Sequence, residues 1–292
     1  MDLTGGERMD GRSYTKKIML GMVLILAVLF AAPRPVEAKA SAKKLSVDKT
    51  YTNYDMTGDK KADTFRIAGD AIDYGSYKDY KGYTVYLNGK KVLSETGYII
   101  DFTIYRLELK NGKVFLAIVP ASDNGDVFGA AIYQYKSGKL KKLLNLYNMK
   151  KIGNHNNVSK ISVSGNTIRV KHGVMSYSLG NIGFSLDYQY KGGKLVQKST
   201  QAKLTDTRIK YLKQSYWTAK RSMKLLNKVG GKKIATIAKG KKMKIDKIYL
   251  NAKHTKIYLH VKVKGGRSGW VKGLTKYPGY DRELFKEVMY AG

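Results

Sequence analysis

Tyr98-Ile-Ile-Asp-Phe-Thr-Ile-Tyr-Arg-Leu-Glu-Leu-Lys110, then Asn111-Gly112, then Lys113-Val-Phe-Leu-Ala-Ile-Val119, is two apolar or aromatic runs joined by an Asn-Gly pair. Asn-Gly is the strongest two-residue hairpin signal, because the favoured turn needs positive φ at both central positions. The stretch predicts an antiparallel β-hairpin. The same device recurs on both sides of it. Residues 83–87 turn at Asn88-Gly89 into Val92-Leu93, and 131–135 turn at Ser137-Gly138 into 140–146. Residues 161–163 turn at Gly165-Asn166 into 168–170, and 184–190 turn at Gly192-Gly193 into Leu195-Val196. The turns near 88, 111, 137, 165 and 192 lie about 26 residues apart but share only short motifs, which is weak ground for true internal repeats. Residues 45–200 are therefore expected to form one all-β domain, an antiparallel meander of about ten or more strands. A sandwich or propeller-blade-like sheet suits its length better than a full propeller.

After Lys198 the turn rhythm stops, and residues 201–213 read as a polar, basic linker or short helix. A second β region follows. Residues 234–237 turn at Lys239-Gly240 into 243–248, and 257–263 turn at Gly265-Gly266 into Gly269-Trp270-Val271. These short strands predict a small β-barrel over 214–276, near the minimum size that encloses its own core without staples. Residues 277–292 form a C-terminal tail, readable as a helical turn or a closing strand.

At the other end, residues 18–32 are an unbroken run of fifteen apolar residues and glycine, preceded by Lys16 and Lys17 and followed by Val36-Glu37-Ala38. Charged start, apolar middle and small residues at the minus-three and minus-one positions read as a secretory signal peptide, 1–38, with an N-terminal signal helix and cleavage between Ala38 and Lys39. The alternative is an uncleaved anchor, but fifteen residues fall short of the roughly 20 that cross a bilayer core. The expected localisation is secreted or cell-wall-associated, with the membrane touched only through an uncleaved signal segment.

The chain has no cysteine, so an exported product must fold on apolar burial alone, without a disulfide framework. Removing the five basic and four acidic residues before Lys39 from totals of 55 and 22 leaves 50 against 18, a net charge of +32. Such a field selects polyanions as partners. Outside a bacterium these are teichoic-acid-type polymers and anionic lipid headgroups; no zinc knuckle, basic heptad helix or helix-turn-helix pattern points to specific nucleic-acid binding. Lysine also keeps exposed strand edges soluble and unpaired, a plainer use of the same charge.

Two stretches resemble known families. Ile234-Ala-Thr-Ile-Ala-Lys-Gly240-Lys-Lys-Met-Lys-Ile245, Tyr258-Leu-His-Val-Lys-Val263 and Gly265-Gly-Arg-Ser-Gly-Trp-Val271 together resemble the bacterial Src-homology-3-like (SH3-like) domain. That family's first strand usually carries an Asn-Val-Arg signature, where this chain has Met223-Lys-Leu-Leu-Asn-Lys228. The resemblance implies attachment to peptidoglycan. Asp55-Met-Thr-Gly-Asp59-Lys-Lys-Ala-Asp63 resembles the calcium loop of FG-GAP or VCBS-type repeats. The resemblance implies Ca²⁺ held by Asp55, Thr57, Asp59, the carbonyl of Lys61 and Asp63, in keeping with the ion's demand for six or more oxygens. Lys60 stands where such loops prefer glycine, and Arg66 where an EF-hand would place its bidentate glutamate, which excludes the EF-hand. The alternative is a loop whose aspartates accept backbone N–H groups in Asx-type turns. The arrangement as a whole resembles that of secreted proteins of Gram-positive bacteria with a β domain ahead of a wall-binding barrel.

Catalytic motifs are absent from the sequence. Cysteine-peptidase chemistry has no thiol to use, His155, His172, His254 and His260 form no zinc-hydrolase cluster, and no Gly-x-Ser-x-Gly elbow or phosphate loop occurs. Tyrosine is abundant, and Tyr74, Tyr77, Tyr80 and Tyr83 recur every third residue; their rings either meet a glycan or charged polymer or form an amphipathic rim on the sheet. In the barrel, Trp217, Tyr258, His260 and Trp270 are the candidate ligand-binding residues, with Trp270 reading more as core. The expected function is a non-enzymatic, wall-associated binding protein, held by the barrel and its charge to peptidoglycan or a teichoic-acid-type polyanion. A cell-envelope hydrolase with catalytic residues in the meander is the alternative, and a basic toxin-like or nucleic-acid-binding protein a third. Nothing in the sequence sets an oligomeric state.

Overall fold

Asn88 and Gly89 both take positive φ, 50° and 75°, and join β4 (Lys78–Leu87) to β5 (Lys90–Ile99) with Leu87 opposite Lys90. Ser137-Gly138 and Gly192-Gly193 close two-residue turns in the same way, and Gly165-Asn166 closes one with only Gly165 positive, at 55°. They join β8 (Ala131–Lys136) to β9 (Lys139–Asn145), β10 (Gly153–Ser164) to β11 (Thr167–Ser176), and β12 (Gly180–Lys191) to β13 (Lys194–Gln197). At Asn111-Gly112 the expectation needs correcting. Only Gly112 is positive, at 75°, and the connection from β6 (Asp101–Glu108) to β7 (Val114–Ala121) spreads over residues 109–113. The Lys110 N–H donates to the Gly165 carbonyl (3.0 Å) and the Asn111 N–H to Asn166 Oδ1 (3.0 Å). Two hairpin tips are thus interlocked, which a minimal turn would not reach.

The computed structural model describes Met1 and residues 39–123, 129–279 and 281–290. The signal segment and its cleavage after Ala38 lie outside the described residues; Lys39 is exposed. Every strand pairing described is antiparallel, and the one described helix is a single turn, α1 (Arg208–Tyr211), so the fold is all-β.

The strands do not form one continuous meander. The chain changes sheet after β1, after β5 and again after β9, giving three sheets. The first runs β2 (Thr50–Tyr54), β3 (Asp63–Asp73), β4, β5, and the second β1 (Ser41–Leu45), β6, β7, β8, β9. The third begins β10, β11, β12, continues through β14 (Gln201–Thr207) into β18 (Lys242–Leu250), β19 (Ile257–Val263) and β20 (Ser268–Lys272), and ends at β16 (Met223–Leu226) and β17 (Lys233–Ile237).

The second sheet is the middle layer, and β7 shows why. Val114, Leu116 and Ile118 join one core with Phe65, Ile67 and Val85 of the first sheet; Phe115, Ala117 and Val119 join another with Ile168, Val170 and Phe184 of the third. A strand covered on both faces has no polar alternation to show, hence the unbroken apolar run. Each large side chain so buried contributes about 1.5–3 kcal/mol relative to exposure.

Residues 201–213, expected as a linker or short helix, hold β14 and α1. Gln201, Ala202 and Lys203 pair with Tyr249, Ile248 and Lys247 of β18, while Leu204, Asp206 and Thr207 pair with Phe184, Gly183 and Ile182 of β12. One short strand therefore passes the sheet from its β10–β12 part to its C-terminal part, and the described residues from Lys39 onward form one compact unit. The expected closed barrel is corrected as well. Among the described strands β17 bonds only β16, and β15 (Trp217–Thr218) only β18, so the run stays open. Its core is covered instead by the tail: Phe285 packs on Trp217 with ring centroids 5.4 Å apart, and Lys220 Nζ pairs with Glu283 at 2.8 Å.

Candidate functional site

Gly173 of β11 and Gly183 of β12 face each other across the ladder, with Asn157 of β10 opposite Gly173 and Asp206 of β14 opposite Gly183. This is one row across four strands, roughly 14 Å at the usual strand spacing. The glycines keep its centre low. A Cβ on Gly173 would lie 2.3 Å from Asn157 Oδ1, and one on Gly183 2.6 Å from Asp206 Oδ2, so both polar side chains lean inward over bare backbone. Glycine inside a strand marks such a close approach.

The result is a cleft of about 770 Å³. Lys171, from the neighbouring row, pairs with Asp206 Oδ2 at 3.1 Å, and Lys210 Nζ stands 3.9 Å from Asp206 Oδ1. The Lys171 bond first, then the Thr205 hydroxyl, holds the Asp206 carboxyl below its ordinary range. These pairs are exposed and contribute little to stability; they set the positions of cations around one carboxylate. At the rim, the Arg208 guanidinium lies 5.1 Å from the Tyr211 ring centroid, and Tyr211 is 76% exposed. The cleft offers a smooth peptide floor, amide and hydroxyl groups at its sides, an excess of cations and one exposed aromatic ring.

The sequence-predicted residues fall elsewhere. Tyr258 and His260 share the outer face of β19 with Trp270 of β20, which lies opposite His260. His260 Nδ1 is 2.7 Å from Asp246 Oδ1, the His260 and Trp270 ring centroids are 5.1 Å apart, and Lys247 Nζ is 5.7 Å from the Trp270 ring. Trp217 is not among them. It is fully buried in the core below this sheet.

In the Asp55–Asp63 loop the carboxylates accept the loop's own N–H groups. Asp63 Oδ2 accepts from Met56 (2.7 Å) and Thr57 (2.9 Å), and its Oδ1 from the Asn88 amide (2.7 Å). Asp55 accepts from Gly58 and Lys60, and Asp59 from Lys61; the Thr57 hydroxyl points back at Asp55. Burial opposes ionisation of Asp63, but the Asn88, Met56 and Thr57 bonds outweigh it and lower its pKa. A calcium ion entering here has to share these oxygens with the N–H donors or displace them. Among the described residues no group of three or more His, Cys, Asp or Glu is placed to hold a metal.

The chain matches no protein-family model, no curated protein and no solved structure. Function has to be read from the site itself. Sequence reasoning missed the cleft, because Asn157, Gly173, Gly183 and Asp206 are brought into one row only by the strand register. The Gly183-bearing run and the basic Arg208-Ile-Lys210 segment were its only local signals.

Proposed function

We propose that the chain is a non-enzymatic binding protein of the cell envelope that holds an anionic wall polymer, with the glycine-floored cleft as its contact site. The observation that carries this is the cleft's composition: an extended polar floor flanked by Lys171, Arg208 and Lys210, with Tyr211 exposed beside them. An extended polymer can lie against bare strand backbone, ring faces stack on Tyr211, and phosphates or carboxylates meet the cations. The net charge of +33 supports it by raising encounter rates with any polyanion. The Tyr258, His260 and Trp270 face, with Lys247 beside it, supports a second contact from the C-terminal segment to peptidoglycan.

Co-sedimentation with purified Gram-positive sacculi, before and after removal of teichoic acid, tests this. Binding is expected to fall on stripping. The double variant Arg208→Ala/Lys210→Ala is expected to weaken retention and to flatten its salt dependence, by about one unit of log–log slope per lost contact. Unchanged retention of that variant on unstripped sacculi would remove the cleft from the proposal.

A further inference from the structure

At the tip between β3 and β4 the Gly75 N–H donates to Asp73 Oδ1 (2.8 Å) and the Tyr74 N–H to the Tyr77 carbonyl (3.1 Å). This tight tip stacks the rings of Tyr74 and Tyr77, centroids 4.8 Å apart and planes 22° from parallel, yet leaves them 51% and 59% exposed. Two residues along β4, Asp79 is 3% exposed. Its Oδ2 accepts the Tyr98 hydroxyl at 2.5 Å, and among the described residues no donor reaches its Oδ1. Buried carboxylates are ordinarily paired or fully hydrogen-bonded. The adjacent Lys78 pairs instead with Asp73, at 3.5 Å.

Tyr98 joins the two features. It is half-exposed and tied through its hydroxyl to Asp79, which lies two residues from Tyr77 and so, by the alternation of an extended chain, on the same side of it. The bond to Asp79 first, and burial second, push its pKa to about 12, so it stays a neutral donor that orients the carboxylate. Beyond Tyr98 lies a cavity of about 290 Å³ whose wall includes Glu95, Pro120 and Asp123 and, among the described residues, no lysine or arginine. Lys142 reaches Glu95 from outside that wall, at 3.6 Å. In a chain with 55 basic and 22 acidic residues, this is a locally negative, aromatic place.

We propose that the stacked Tyr74 and Tyr77 rings and Tyr98, with Asp79 hydrogen-bonded to Tyr98, form a binding site for an organic ammonium group. Ring faces attract cations through their quadrupole, and aromatic cages are the usual means of recognising quaternary ammonium. The buried carboxylate adds charge attraction and repels phosphate. A neutral sugar has only stacking to gain. The site stands apart from the cleft and does not rest on the anionic-polymer proposal.

Titration of the full chain with choline or tetramethylammonium, followed by NMR of the tyrosine ring signals, tests it, with N-acetylglucosamine and inorganic phosphate as comparison probes. Both ammonium compounds are expected to shift a few ring signals saturably, and the comparison probes to leave those signals in place. Tyr77→Ala, at the exposed tip, is expected to weaken choline binding by about fivefold. Asp79→Asn keeps an acceptor for Tyr98 while removing the charge, and is expected to weaken it similarly. If Asp79→Asn fails to fold, Tyr77→Ala decides alone. Absence of a saturable shift, an equal response to N-acetylglucosamine, or unchanged affinity in Tyr77→Ala would overturn the proposal.

Discussion

His254 is buried between two amides, its Nδ1 2.8 Å from Asn148 Oδ1 and its Nε2 3.1 Å from Gln197 Oε1. The Gln197 amide nitrogen donates to the Ser199 carbonyl at 2.6 Å, which turns its oxygen toward the imidazole and makes Nε2–H the donor; Nδ1 of the neutral ring is then an acceptor, so the Asn148 amide is taken flipped, its nitrogen donating to Nδ1. Burial pushes the His254 pKa down to about 4. His172, stacked on Phe184, is pushed to about 3, by burial first and the nearness of His254 second. Both rings are neutral in the folded chain, whereas the unfolded chain protonates near pH 6.5. The unfolded state therefore binds more protons below that pH, and stability is full above it and declines as the pH falls toward the folded values. Urea unfolding is expected to show a loss on the order of a few kcal/mol between pH 7 and pH 4. Neither ring nitrogen of His172 has a partner among the described residues. His172→Leu is accordingly expected to keep or raise stability at pH 7 and to flatten the decline; an unchanged pH profile would contradict this assignment. None of it is legible in the sequence, where the two histidines stand 82 positions apart with no shared motif.

Among the elements, β7 makes the sharpest claim. Ile118 faces the core shared with the first sheet and Ala117 the core shared with the third. Ile118→Ala is expected to destabilise by about 2–5 kcal/mol through the cavity it leaves. Ala117→Leu is expected to cost about 1–3 kcal/mol through overpacking on the other side. Urea midpoints at unchanged slope measure both, and tolerance of either would mean that β7 has a free face. Hairpins such as β4–β5 and β12–β13 were legible because their turn chemistry is carried by two adjacent residues. The tip at Asn111-Gly112 misled because its partner, Asn166, belongs to another hairpin. β14 was missed because Gln-Ala-Lys-Leu-Thr-Asp-Thr is mostly polar and its pairing changes neighbour halfway. Assignment of strands to sheets was hidden for the same reason: neighbours across a ladder leave no mark at fixed sequence spacing.

For the molecule as a whole, one apolar cluster extends from Leu107 through Ile168, Phe184 and Ile248 to Phe285. It joins segments that the sequence divides at 201–213. A single cooperative unfolding transition is expected. Trp217 and Trp270, both in the C-terminal run, report on that part by fluorescence, and far-UV circular dichroism reports on all the strands. Coincident midpoints are the expected result. A separate tryptophan transition would show the C-terminal run folding on its own.

β14 also determines how the protein bears load. If the C-terminal run is held while the other layers are dragged, the tension is carried, beside side-chain bonds such as His254 to Asn148 and Tyr290 to Tyr177, by this strand as the covalent link. One half is laced to β12 and the other to β18, so the two short ladders lie in series along the line of pull. Under traction the seam at residues 203–204, where the ladder changes neighbour, is expected to part ahead of the longer hairpins on either side.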